Sequence, residues 1–200
     1  KMNNRESKRF KSSVKFLVND YKSVLDVGCR DKALKTFLKS DIVYQGIDFE
    51  DNKEVIGHDL ERGVPFPDES FDVVFALDVL EHVDNVQFLF QEIIRVSKKE
   101  IVVALPNMYY WKFRLRFLKG KDISDKYIFH AHHKLDRHRW ITSYNSALTF
   151  VKSNSDNKKI VIEKVFYQYK SALLRFIDKK LSKKFPNLFV HTVIFHISKK

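Results

Sequence analysis

Cysteine occurs once, at Cys29, so no internal disulfide can form and no thiolate set exists for a structural zinc. That scarcity predicts a reducing, cytoplasmic setting. Five glycines and four prolines among 200 residues, with 44% hydrophobic residues, exclude collagen-like repeats, linker-rich designs and disorder. No apolar run is long enough to span a bilayer. The longest, such as residues 101–105, are strand-sized, and the first residues are charged where a signal peptide would carry an apolar stretch. Acidic residues are also in short supply, 25 against 37 basic ones, for a net charge of +12. Such a surplus attracts phosphates, anionic headgroups or acidic glycans. Much of it lies in lysine-rich segments (Lys179, Lys180, Lys183, Lys184, Lys199, Lys200), where solubility explains it equally well.

What is present is an alternation of short β-rich runs with segments of helical period, the pattern of βαβ units around a mainly parallel sheet. Strands are expected at 23–27, 43–48, 55–58, 72–77, 101–105, 159–166 and 188–197. Several are continuously apolar, as required when helices cover both faces of a sheet. Between them, Ala33, Leu34, Phe37 and Leu38 share one helical face, as do Val86, Leu89, Phe90, Ile93 and Ile94. Asp84 followed by Gln87 has the spacing of a capping box for the second of these helices. An amphipathic stretch at 172–181 and the turn signal Pro186-Asn187 separate the last two strands and suggest a closing hairpin. Residues 108–140, rich in aromatics and bases, interrupt the alternation and read as an insertion above the strand ends. The length matches one domain.

The densest signal is Ser23-Val24-Leu25-Asp26-Val27-Gly28-Cys29-Arg30-Asp31-Lys32, a strand entering a glycine turn. A Cβ at position 28 would obstruct close approach of a ligand to the backbone. Gly46-Ile47-Asp48-Phe49 then closes the second strand, Gly57-His58-Asp59-Leu60 the third, and Ala76-Leu77-Asp78-Val79-Leu80-Glu81-His82-Val83 follows the fourth. Leu105-Pro106-Asn107 follows the fifth. One such station is weak evidence; four in order, each at a strand end, are far stronger. Together they resemble the class I S-adenosylmethionine-dependent methyltransferases, in particular the type-11-like, methionine-biosynthesis-W-like enzymes that act on small molecules. The resemblance covers residues 23–107.

The resemblance implies an α/β, Rossmann-like, doubly wound fold: a mostly parallel seven-stranded sheet with an antiparallel last strand and an inserted helical and aromatic cover. It also implies a division of the single domain into an N-terminal helix (1–22), a cofactor-binding core (23–107), a substrate cover (108–158) and C-terminal strands and helix (159–200). S-adenosyl-L-methionine is the implied cofactor, held by Asp26, Gly28, Arg30, Asp48, Phe49, Asp59, Leu60, Ala76 and Leu77. Asp48 would take the ribose hydroxyls, Asp59 the adenine amino group and Leu60 backbone contacts. The family pattern G-x-G-x-G is broken here by Arg30 and Lys32. Either Arg30 contacts the cofactor carboxylate in an altered loop, or cofactor binding has been lost. Asp26 is also compatible with a turn acid, and Glu81 and His82 with packed helix residues.

Four of the eight histidines lie within residues 127–140. His130, His132 and His133 lack the regular spacing that would aim them at a common metal, so no metal site is expected. The segment 136–143 resembles the family's stretch bordering the acceptor pocket, which makes His138 a candidate base, alongside His82 and against a plain surface role. The expected reaction is methyl transfer to a hydroxyl or amine of a small molecule, sugar, glycan precursor or lipid-linked acceptor. The basic, aromatic run at 109–119 is compatible with an anionic membrane surface or with a helix covering the acceptor pocket. A nucleic-acid methyltransferase is the alternative enzyme. The Asn/Asp-Pro-Pro-aromatic motif is missing from it, and the one cysteine lies in the cofactor loop. A non-catalytic scaffold of the same fold is the alternative from another class.

Overall fold

The computed structural model describes residues 4–15, 17, 20–132, 136–156, 159–165 and 172–199. Among these, seven strands make one sheet: β1 (Ser23–Val27), β2 (Val43–Asp48), β3 (Val55–Gly57), β4 (Phe71–Leu77), β5 (Ser97–Pro106), β6 (Lys159–Val165) and β7 (Thr192–Ser198). Their order is β3-β2-β1-β4-β5-β7-β6. β3, β2, β1, β4 and β5 pair in parallel, while β7 enters between β5 and β6 antiparallel to both. This is the expected Rossmann-like sheet with its antiparallel last strand; β6 and β7 pair antiparallel at its edge but are joined through helices rather than by a hairpin turn. Strand order reverses between β1 and β4, and in open α/β sheets the crevice beyond the carboxyl ends at such a point receives ligands.

The central strands hold this position because both their faces are apolar and covered. Every residue of β4 is buried. Leu25, Val27, Val74, Ala76 and Val103 point into one core, against α2 (Val86–Val96) and α4 (Tyr144–Ser153). Val24, Val73, Phe75, Val102 and Ala104 point into the other, with Phe10 of α1 (Asn4–Val14) and Leu34. Each fully buried Val, Leu or Phe contributes roughly 1.5–3 kcal/mol, so the sheet's centre is the rigid frame.

Local chemistry shifts several element ends from the expected positions. The face formed by Ala33, Leu34, Phe37 and Leu38 is the inward one, but the segment Ala33–Phe37 is a single 3-10 turn run. The cap of α2 is Asn85, whose side chain accepts the Phe88 N–H at 3.1 Å. Asp84 does not cap; its carboxylate is engaged by Arg139 and its N–H donates to Glu61 at 2.6 Å. Residues expected at the start of the last strand instead form α6 (Pro186–Phe189), because Pro186 at the first helical position fixes a helical φ. The amphipathic stretch forms α5 (Ala172–Leu181) as expected, and the insertion carries α3 (Trp111–Leu118). Phe166, expected to end β6, lies outside the described residues. No helix among the described residues is long and apolar enough to cross a membrane.

Candidate functional site

β1 delivers Gly28 to the switch point in a left-handed conformation, φ 71°, with its N–H donating to Ile47 at 2.8 Å. A Cβ there would lie 2.7 Å from Val79 Cγ2, so glycine is required by the packing of the loop after β4 as well as by its φ. The turn then stays left-handed at Arg30 (φ 49°) and Lys32 (φ 58°), the two positions where the resembled motif carries glycine. Each costs roughly 1 kcal/mol or more for a residue with a side chain. What holds them is tertiary: the Arg30 N–H donates to Asp48 Oδ2 at 2.6 Å, and the Lys32 ammonium donates to the Lys53 carbonyl at 2.7 Å. The Arg30 guanidinium reaches Asp136 of the cover at 3.1 Å.

The residues nominated from sequence divide into two groups. Asp48 and Phe49 stand at the open edge: Asp48 Oδ1 accepts the Phe49 N–H at 2.7 Å, and the Phe49 ring is 65% exposed. Asp59 caps the turn Leu60–Arg62 by accepting the Glu61 N–H at 3.0 Å, and Leu60 packs half-buried on the core. Ala76 and Leu77, by contrast, put their side chains into opposite cores, which leaves only their backbone for a ligand. Asp26 is 4% exposed and accepts the Tyr44 hydroxyl at 2.8 Å on the α1 face. Burial pushes its carboxyl up to about 7, against the Tyr44 bond and the Arg9 charge. Cys29, beside the turn, is inert at neutral pH, since burial pushes its thiol up to about 12.

Two residues at this edge were not singled out from sequence. Asp78, left-handed at φ 57° just beyond β4, is paired with Arg9 of α1. Among the described residues, Arg9 Nε and Asp78 Oδ1 are buried with no hydrogen-bond partner, one unused donor and one unused acceptor beside the Gly28 turn. Nothing in the helical sequence around Arg9 signals this; only the packing of α1 on the sheet brings it there.

Farther toward the cover, the turn Leu80–His82 presents Glu81 and His82 to residues 136–140. The Arg139 N–H donates to the Glu81 carbonyl at 2.8 Å, the Trp140 indole to the Val83 carbonyl at 2.7 Å, and His82 Nδ1 lies 2.9 Å from the Arg137 carbonyl. These bonds bring His138 onto His82, ring against ring at 4.6 Å, and its Nε2 within 3.8 Å of Glu81 Oε1. Burial, then the Asp78 charge, raises the Glu81 carboxyl well above its usual range. Burial, then His82, pushes His138 down to about 4, and burial also lowers His82. Both imidazoles are therefore neutral at pH 7. Asp136 is held below the usual carboxylate range because Lys126, and then Arg30 and His82, outweigh the effect of its burial. His130 and His132 are exposed and stand apart from this group; His133 lies outside the described residues.

The fold is that of S-adenosylmethionine-dependent methyltransferases, and solved members superpose on the chain. One from Archaeoglobus fulgidus is 18% identical with TM-score 0.65, covering 98% of this chain and 95% of its own. One from Thermotoga maritima, described as a possible histamine N-methyltransferase, is 16% identical with TM-score 0.61, covering 96% and 88%. One from Mesorhizobium loti is 11% identical with TM-score 0.60, covering 98% and 99%. These likenesses define the fold class. The family model of the methionine biosynthesis protein MetW matches residues 9–197, and the chain belongs to that family. Among curated proteins, none matches by sequence.

Proposed function

We propose that the chain binds S-adenosyl-L-methionine at the carboxyl ends of β1–β4 and transfers its methyl group to a hydroxyl or amine of a small molecule, sugar, glycan precursor or lipid-linked acceptor. The observation that carries this reading is the turn at 28–32. Its backbone keeps the left-handed geometry of a glycine motif at Arg30 and Lys32, against their own conformational preference. Strain of this kind persists where the surroundings enforce it, most often at functional sites.

The residues at the edge fit the cofactor. Asp48 spends one lone pair of each oxygen on loop amides and keeps others for a ribose diol. Phe49 offers an uncovered aromatic face beside it. The unused Arg9 Nε–H suits a carboxylate and the unused Asp78 Oδ1 an ammonium, the two ends of an amino-acid moiety. When bound, the sulfonium supplies a methyl group already activated by a neutral thioether leaving group. The protein's task is then to hold the acceptor in line at near-attack distance, and the cover over Glu81, His82 and His138 supports that role.

A lipid-linked or otherwise anionic acceptor is favoured by α3, none of whose residues is buried. Leu115, Phe117 and Leu118 are exposed among Arg114, Arg116 and Lys119, and the Tyr110 hydroxyl donates to Asp178 of α5, which exposes Leu173 and Phe176. An apolar, cationic ridge of this kind suits an anionic membrane surface. Calorimetric titration with S-adenosylmethionine tests the core of the proposal: saturable binding is expected, weakened at least tenfold by Asp48→Ala. Absence of binding by the wild-type chain overturns it.

A further inference from the structure

We propose that Glu81, His82 and His138 form a binding site for one divalent transition-metal ion, of the zinc, manganese, iron(II) or cobalt class, at the carboxyl end of β4. One donor atom from each residue can be chosen so that all three lie within 4.8 Å of one another, and the Glu81 Oε1 to His138 Nε2 separation is 3.8 Å. Ligands bonded to one ion at roughly 2.0–2.2 Å stand roughly 3–4 Å apart, so the cluster needs only a small closure.

The hydrogen bonds around the two rings set the tautomers that metal binding requires. A carbonyl only accepts, so His82 Nδ1 carries the proton that it donates to Arg137, leaving the Nε2 lone pair free. The Tyr127 hydroxyl has one proton and gives it to the Trp140 carbonyl at 2.7 Å. Its oxygen therefore accepts from His138 Nδ1 at 2.9 Å, and the Nε2 lone pair of that ring faces Glu81. Carbonyl and hydroxyl partners of this type orient metal-bound imidazoles and fix their tautomer. Glu81 supplies the independent sign of a missing ligand. It is 1% exposed, and among the described residues neither carboxylate oxygen has a hydrogen-bond partner. Protonation alone would neutralise the charge and still leave a buried O–H and C=O unpaired, whereas an ion satisfies the group.

Two imidazoles and one carboxylate select borderline transition metals over magnesium or calcium, which prefer oxygen-only cages. Three protein ligands leave coordination positions for water or for an oxygen of an incoming molecule. Only this last role, presentation of an acceptor oxygen, rests on the proposed methyl transfer; the ion site stands without it. The assignment makes His82 and His138 ligands in place of the general bases that the sequence suggested. It also differs from the His130, His132 and His133 grouping weighed there.

The test uses the full chain stripped with EDTA and titrated with Co2+ alone, followed by visible absorption, and with Mn2+, followed by loss of the free-ion resonance signal. One saturable ion per chain is expected. Affinity should fall at least tenfold in Glu81→Gln, which keeps the side chain's shape, and in His138→Ala. Tyr127→Phe, which removes the hydroxyl that orients His138 together with its bond to the Trp140 carbonyl, should weaken binding roughly tenfold to a hundredfold. His130→Ala and His132→Ala should leave it unchanged. No saturable absorption change in the wild type, or binding that Glu81→Gln and Tyr127→Phe leave intact, overturns the site. S-adenosylmethionine titration of the same stripped chain keeps the two proposals apart. Cofactor binding without Co2+ binding removes the ion site alone; Co2+ binding without cofactor binding removes the proposed function alone.

Discussion

Asp26→Asn should turn a pH-dependent stability into one that is flatter with pH. In the folded chain the Asp26 carboxyl, buried against Tyr44, titrates at about 7 against an ordinary value of 3.8. Below pH 3.8 both folded and unfolded chains hold the proton, and the group contributes no difference. As pH rises from there toward 7, the unfolded chain releases a proton that the folded chain retains, so stability falls by about 1.4 kcal/mol per pH unit. The full loss is about 4 kcal/mol, reached near pH 7 and constant above it. Asparagine keeps an oxygen for the Tyr44 hydroxyl and never ionises, but buries an NH2 that costs roughly 1–3 kcal/mol if unpaired. The variant should therefore be less stable than the wild type near pH 4 and equal or more stable at pH 8. Urea unfolding of both proteins at half-unit steps from pH 4 to 8 gives the difference in unfolding free energy. A difference that does not change across that range would mean that Asp26 ionises as it does in the unfolded chain, and the account of its burial would be wrong.

Substitutions at two further positions probe the frame around the site. Arg30→Gly and Arg30→Val lose the same ion pair with Asp136, so their stability difference isolates the backbone at φ 49°. Glycine should be more stable than valine by about 2 kcal/mol in urea unfolding, and equality would show that the turn relaxes freely. Asn107 is fully buried, donates to the Asn187 and Val190 carbonyls at 2.9 and 2.7 Å, and accepts from the Tyr109 and Tyr144 amides. Asn107→Ala removes all four bonds, two of them buried, and should lower stability by about 3 kcal/mol; a loss under 1 kcal/mol by chemical denaturation would remove it as the joint between cover and sheet.

β1 and β2 were legible to the residue because short runs rich in β-branched and aromatic residues end at the turn glycine Gly28 and at Asp48. The start of β7 was not, since the apolar residues after Pro186 satisfy a helical turn as readily as a strand. The cap of α2 was misplaced by one because a remote arginine, Arg139, claims Asp84. The same limit applied to the site. Gly28, Asp48 and Phe49 could be placed at the crevice from sequence because each sits at a strand end, where topology alone delivers it. Arg9 and Asp136 depend on how α1 and the cover dock, and no spacing encodes that. Glu81 and His82 were visible as neighbours in sequence. That His138 completes a cluster with them depends on hydrogen bonds between backbone segments far apart in the chain, which residue identity does not reveal.

Those bonds also determine how the site can respond to a ligand. The Arg30–Asp136 pair is largely exposed and contributes at most about 1 kcal/mol, so it does not by itself hold the cover on the turn. The bonds from Arg139 to Glu81, from Trp140 to Val83 and from His82 to Arg137, each of a kind worth about 1 kcal/mol, are what hold it there. An ion shared by Glu81, His82 and His138 would add to the docked arrangement alone, because the undocked one lacks the third ligand. Asp136 lies 3.7 Å from His82 Nε2 while paired with Arg30, so the position of the 28–32 turn and the closure of the cover meet at one carboxylate. A ligand held at either place would bias the other only as far as it prefers the docked cover, and by reciprocity to the same degree in each direction.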